Sequence, residues 1–310
     1  MLEIAVLIVT YNGEEYISDC IGSLLDYFNQ DEIYIVDNCS SDDTIEIVES
    51  SFPSVNIIKN SENSGFGTAC NLGSRSIDSD LVMFLNQDAK LISLDKEAIR
   101  STFQSGEIGV LGGKVVGISG QVIDSVGKEL SVTRILGNWI GLPFQFFGMS
   151  YFGMVKNIGQ EVNFLPEIPW INGHLIVVNK SSFSDMGGFD EQFFMYVEEV
   201  DLCFRMRESG LKVSYSSNIV SLDYNSGRNK EGGISRLAIH NSLLGHGLYV
   251  SKERGALIGI LVRTICSLFS IVWGVVSLPF LIFSSSHRTS SISLISGGLM
   301  GLLGLGNSMK

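Results

Sequence analysis

Apolar and polar positions come in alternating blocks along the first ninety residues. Ile4 to Val9 is a continuous apolar run of β-type residues, Glu14 to Phe28 carries apolar positions at helical spacing, and Ile33 to Val36 is a second apolar run. The order repeats with a helix over 42–49, opened by Ser40 and Asp43 at capping-box spacing. A strand over 55–58, a helix over 68–76 and a strand over 81–85 follow. Short, wholly apolar strands between helices predict strands covered on both faces, hence an α/β fold with a mainly parallel central sheet. Ligands of such sheets sit beyond the carboxyl ends of the strands. The residues there are Thr10, Tyr11 and Asn12, then Asp37 and Asn38, then 60–67, then Asn86, Gln87 and Asp88.

The second half changes character. Residues 109–132 read as short strands and turns. Residues 135–153 read as a loop crowded with Trp139, Phe144, Phe146, Phe147, Tyr151 and Phe152, rings that belong either to core packing or to a surface meeting lipid. A buried strand is predicted over 170–178 and a helix over 197–209, whose first turn holds Glu198, Glu199 and Asp201. Carboxylates there also suit a helix amino terminus. Thr264 to Phe283 is a run of 20 residues without a charge, long enough to cross hydrocarbon; extended back to Ala256 it takes in Arg263, placed to snorkel. Residues 291–306, with five glycines, read as a weak return span or an interfacial segment. The pattern predicts membrane attachment and leaves open whether the tail spans or lies in the interface.

Charge separates these parts. The chain carries 33 acidic and 21 basic side chains, net -12. Residues 251–310 hold five basic residues against Glu253, or +4, leaving -16 on the first 250. That acidity excludes a general nucleic-acid binder. Charged residues are only 17% of the chain and mean hydropathy is +0.27, the tail's contribution. The five cysteines include no CxxC pair, so neither a disulfide framework nor a zinc site is suggested. Ile4 to Val9 lacks a basic n-region and is followed by Tyr11-Asn12-Gly13-Glu14-Glu15, so the amino-terminal domain is expected to stay in the cytosol. The same loop departs from GxGxxG, and its two glutamates would repel a pyrophosphate, against a nicotinamide dinucleotide. Gly65-Phe66-Gly67 either admits a phosphate or sugar to the backbone or is an ordinary turn.

The segments VLIVTYN (6–12), VDNCSSDDT (36–44), NSGFGTACN (63–71), FLNQDA (84–89) and INGHLIVVNKSSFSDMGGFDEQFFMYVEEVDLCFRMRESG (171–210), in this order, resemble the family 2 glycosyltransferases. The resemblance is greatest to rhamnosyltransferase-like members that build bacterial surface polysaccharides such as O-antigen. It covers about residues 4–217 and implies a GT-A fold, assigned to 1–250 with a nucleotide-sugar-binding half over about 1–105 and an acceptor half over about 106–250; the membrane-associated tail 251–310 is read from its apolar pattern. It also implies a nucleotide-diphosphate sugar donor, a divalent cation (Mg²⁺ or Mn²⁺) and inverting transfer; with the apolar tail, the expected acceptor is a lipid-linked glycan at the cytoplasmic face of the plasma membrane. The donor expected from it is dTDP-rhamnose.

Matched position by position, Thr10, Tyr11, Asn12 and Asp37 would lie against base and ribose, and Asn63, Gly65 and Gly67 would line the donor pocket. Arg75 would reach the diphosphate. Asp88 is the expected metal ligand. The family's Asp-x-Asp is here Asn86-Gln87-Asp88, so one carboxylate is an amide and weaker metal binding is expected. Glu199 matches the family's base, with Glu198 and Asp201 as substitutes. Trp170, Gly173 and Asp190 fall on the acceptor side. Relatives often place a metal-binding His after the next strand; this chain has none there, and Asp223 is the substitute oxygen ligand. His174 is expected to be a packed or acceptor-side residue. Two other readings stay open: a polyprenyl-phosphate hexosyltransferase or other transferase of the family, and a non-catalytic nucleotide-sugar or glycan-binding membrane module.

Overall fold

A computed structural model describes residues 1–141, 155–156, 162–224, 235–277 and 285–304. The first half is the predicted alternation: β1 (Ile4–Thr10), α1 (Ile17–Leu24), β2 (Ile33–Asp37), α2 (Thr44–Ser51), β3 (Asn56–Lys59), α3 (Phe66–Ser74) and β4 (Leu81–Asn86). The strands lie parallel in the order β4-β1-β2-β3. Val6, Ile8, Ile35 and Met83 are fully buried in the core, which is why these strands show no polar alternation.

Two helices start later than the pattern predicts. α1 begins at Ile17 because the backbone before it bonds to the loop after β2: Gly13 N donates to Thr44 Oγ1 (2.8 Å) and Glu14 N to Asp42 Oδ2 (3.1 Å). The Ser40–Asp43 capping box does not form. α2 begins at Thr44, whose N and Oγ1 both donate to Asp42 Oδ1, while Ser40 N turns back to Asp37.

The second half contains β5 (Ala89–Leu94), α4 (Lys96–Phe103), β6 (Ile108–Gly117), β7 (Val122–Ile123), β8 (Val126–Gly127), α5 (Val132–Ile140) and β9 (Val155–Lys156). It continues with β10 (Phe164–Leu165), β11 (Trp170–Ile171), β12 (Leu175–Asn179), α6 (Lys180–Asp185), α7 (Glu198–Glu208) and β13 (Lys212–Asp223). β12 inserts antiparallel between β4 and β6, and β13 runs parallel to β6 and antiparallel to β5. The single strand predicted over 170–178 is therefore broken. Trp170–Ile171 joins a small sheet with β8 and β9, and only Leu175–Asn179 enters the large one. Gly112 and Gly113 of β6 allow this, since a Cβ at either would run into Ile171 or Leu175.

Part of the predicted loop over 135–153 is α5, capped by Ser131 accepting from Arg134 N and burying Trp139. Phe144, Phe146, Phe147, Tyr151 and Phe152 lie outside the described residues. The chain forms two compact units: Met1–Lys128 with Val155–Gln192 and Glu199–Ser226, and Glu129–Met154 with Phe193–Glu198 and Gly227–Lys310. The second is helical and takes in α8 (Arg236–Arg254) besides the expected tail, which forms α9 (Ala256–Ser277) and α10 (Ser285–Leu303). α9 is long and apolar enough to cross a membrane. Residues 291–303 are the greater part of a regular helix. Arg263 packs its stem on Gly247, and its guanidinium lies at Gly304, where α10 ends and its last carbonyls need donors. It packs within the unit where snorkelling was expected.

Candidate active site

The carboxyl ends of β1 and β2 are tied by reciprocal bonds. Asn12 N donates to Ser40 Oγ (2.9 Å) and Asn12 Oδ1 accepts from Ser41 N (2.8 Å). Asn12 (φ 49°) and Cys39 (φ 67°) both hold left-handed backbone in these loops. Asp37 is buried, and both its oxygens accept from Ser40 N (3.1 and 3.3 Å). Asn38, also buried, donates to Gly65 O (3.0 Å) and accepts from Asn60 Nδ2 (2.8 Å), which joins β2 to the loop before α3. Asn63 Oδ1 accepts from Gly65 N (3.1 Å), Gly65 has φ 85°, and Gly67 is buried in the first turn of α3.

Gln87, read from sequence only as the spacer of the Asn86-Gln87-Asp88 motif, organises the first loop. Its Oε1 accepts from Thr10 Oγ1 (2.6 Å) and Tyr11 N (2.9 Å), and its Nε2 donates to Tyr11 O (3.2 Å). Arg75, expected at a diphosphate, is exposed with its guanidinium 3.9 Å from Glu191. Asn71 was also missed. It is buried, accepts from Phe189 N (2.8 Å) and donates to Phe189 O (2.8 Å) and Glu191 Oε1 (3.2 Å), so α3 grips the segment that carries Asp190. Asp190 Oδ1 accepts from Gln192 N (2.9 Å) within that segment.

The three carboxylates opening α7 separate. Tyr196 and Val197, just before the helix, have φ 68° and 76°, costly for a β-branched residue, and Glu198 follows them buried. Glu199 is half-buried. A Cβ built on Gly173 would lie 3.7 Å from Glu199 Cβ and 3.8 Å from the Phe66 ring, ordinary contact distances, so this glycine leaves a methyl-sized gap between the Glu199 stem and the start of α3. Asp201 is buried and bonded to Arg205 Nε (2.7 Å), while Arg205 donates to Met186 O and Gly188 O (both 2.8 Å). It is committed to holding that turn. Trp170, expected on the acceptor side, is a packing residue: its ring covers Gly127 and its Nε1 donates to Lys128 O (2.8 Å).

β5 and β13 bring Asp88 and Asp223 together. Asp223 pairs with Ala89, and Tyr224 N donates to Asp88 O (3.2 Å). His174 is buried beside them, its Nδ1 4.0 Å from Asp223 Oδ2 and 3.5 Å from Asn86 Nδ2. Burial pushes its pKa below the ordinary value, against the pull of Asp223 and Asp88, which keeps the ring neutral. Among the described residues no group of three or more His, Cys, Asp or Glu is arranged to hold a metal ion. The backbone register sets Asp88 and Asp223 at the adjoining ends of neighbouring strands, and carboxylate oxygens are the donor type that suits a hard divalent cation.

The sequence profile of the family described as Glycosyl transferase family 2 matches residues 5–165. Among curated relatives, the low-salt glycan biosynthesis hexosyltransferase Agl10 of Haloferax volcanii is 24% identical over 216 residues, 68% of this chain and 64% of its own length. The N-acetylglucosaminyl-diphospho-decaprenol L-rhamnosyltransferase of Mycobacterium tuberculosis is 26% identical over 254 residues, 76% of this chain and 80% of its own. The match thus spans just under two thirds of the first relative. The crystal structure of GalNAc-T7 with UDP, GalNAc and Mn²⁺ superposes with a TM-score of 0.57 at 12% identity, over 82% of this chain and 51% of that one. The shared fold is GT-A.

Proposed function

The chain belongs to glycosyl transferase family 2, and from that premise we propose that it transfers one sugar, rhamnose from dTDP-rhamnose, to a lipid-linked glycan in cell-surface polysaccharide synthesis. The observation that carries the reaction class is the small gap at Gly173, with the Glu199 stem on one side and Phe66, which follows the Asn63–Gly65 turn, on the other. The name of the mycobacterial relative supports the choice of sugar and of a lipid-linked acceptor.

In this reading the loops after β1 and β2 hold the nucleoside, with Thr10, Tyr11 and Asn12 positioned by Gln87 and Ser40, and the Gly65–Gly67 turn admits the sugar diphosphate to the backbone. Asp88 and Asp223 would hold Mg²⁺ or Mn²⁺, which when bound offsets the charge of the departing diphosphate. The acceptor hydroxyl reaches the anomeric carbon through the gap at Gly173. Its oxygen forms the new glycosidic bond on the face opposite the breaking bond to the diphosphate, and its proton passes to Glu199, so the configuration inverts. The acceptor would meet the enzyme at the cytoplasmic face of the plasma membrane.

The purified chain is to be incubated with dTDP-, UDP- and GDP-sugars, Mn²⁺ and a polyprenyl-diphosphate-linked acceptor, with products read by mass spectrometry. Rhamnosylated acceptor is the expected product. Turnover of another donor alone would move the assignment to that sugar, and no turnover or donor hydrolysis at all would favour a binding module.

A further inference from the structure

The helical unit has its polarity reversed relative to a bundle in water. Ser267 and Ser270 of α9 and Ser291 and Ser293 of α10 are buried. Ser270 Oγ donates to Leu294 O (2.7 Å), the Ser277 and Ser291 hydroxyls are 2.7 Å apart, and Gly274 and Gly298 let the two backbones approach. Leu257 (84% exposed), Leu261 (58%), Leu268, Val272 and Val276 instead form one outward stripe along α9. Only 28% of its most apolar stretch is buried. Thr264 returns its hydroxyl to Ile260 O (2.8 Å) and so needs no water. Small and hydroxylic residues between helices with apolar residues outside is the arrangement that hydrocarbon selects.

Charge points to the kind of membrane. The helical unit carries nine Lys and Arg against four Asp and Glu, or +5, and the other unit twelve against 29, or -17. An anionic leaflet attracts the first.

The packing also opposes a crossing. α8, α10 and α5 all pack against α9. α8 runs alongside as a nearly buried helix containing His240, Asn241 and His246 and ending in exposed Lys252, Glu253 and Arg254. At its middle, Gly245 lies against Tyr196 O and Val197. Were the bundle to span, that contact would pull 193–198 to the bilayer centre, although exposed Glu191 and Gln192 precede it and buried Glu198 ends it.

We propose that the helical unit is a monotopic foot: α9 lies in the plane of an anionic leaflet, its Leu257–Val276 stripe in the acyl boundary and its other faces covered by protein. The proposal deepens the reading of a membrane-bound acceptor and rests on it for its biological role. It is tested without donor or acceptor, so either can fail alone.

The full chain should sediment with vesicles containing phosphatidylglycerol, more weakly with phosphatidylcholine alone and at high salt. Leu261→Glu combined with Val272→Glu should lower that binding at least about tenfold, with the circular dichroism spectrum and thermal unfolding unchanged. Should the pair fail to fold, Leu257→Glu at the most exposed position gives the same reading. Tryptophan placed at 257, 268 and 276 should be quenched by brominated lipids at one shallow depth. A position 268 clearly deeper than the other two would establish a span and overturn the proposal. So would absence of vesicle binding together with self-association that the glutamates abolish, which would give the face to a second copy of the chain.

Discussion

At the scale of single residues, the carboxylates divide by what surrounds them. Glu199 borders the gap at Gly173, whereas Asp201 is committed to Arg205. Glu199→Gln should keep donor binding and lower transfer by about 10²–10⁴-fold, the range for a lost general base; single-turnover assays beside nucleotide titrations separate the two. Asp88→Asn should remove the cation-dependent part of donor affinity, so that titrations with and without Mn²⁺ coincide. The places of both residues in the fold were legible because a motif fixes their position relative to a strand end or helix start. Gln87 was not, because a spacer shows its partners only when the β1 loop folds against it. The partner of Arg75 was not legible for a related reason: Glu191, which meets it, lies far along the chain, and periodicity says nothing of such pairs.

At the scale of elements, β1 to β4 were readable because strands buried on both faces announce themselves as uninterrupted apolar runs. The break within 170–178 was not, since Trp170 and Ile171 are as apolar as the strand that follows; the break is dictated by two glycines of β6, on a different strand. The 186–188 turn is held by Arg205 from α7, and Asn71 from α3 fixes Phe189 just after it, so its geometry depends on the partly buried Asp201–Arg205 pair. Asp201→Ala leaves that half-buried guanidinium without its counter-charge and should destabilise the fold by about 1–3 kcal/mol, measured by denaturant unfolding. A base role at this position would instead leave stability near wild type.

At the scale of the whole molecule, the acidic and basic parts seen in sequence correspond to compact units, although the helical one begins well before residue 250 and borrows residues 129–154 and 193–198. Such borrowing is invisible to composition, because it follows from packing against α8. Within that unit burial pushes the His246 imidazole down to about 4. Its unfolded counterpart titrates at about 6.5, so the unfolded chain binds the extra proton between these values. Stability should fall as pH drops from ~6.5 towards 4, by about 3 kcal/mol in total. Thermal unfolding of wild type and His246→Gln across this range should show a shallower slope in the variant. The Gly127–Trp170 contact has a consequence for how this chain tolerates variation. A Cβ at Gly127 would fall inside the indole, and the displaced strand ends two residues before Gly173. In a saturation scan scored by activity, position 127 should therefore be as intolerant as Asp88 and Glu199, although it lies outside the proposed site, and inherited differences there would mark lineages that rebuilt the strand leading to Gly173.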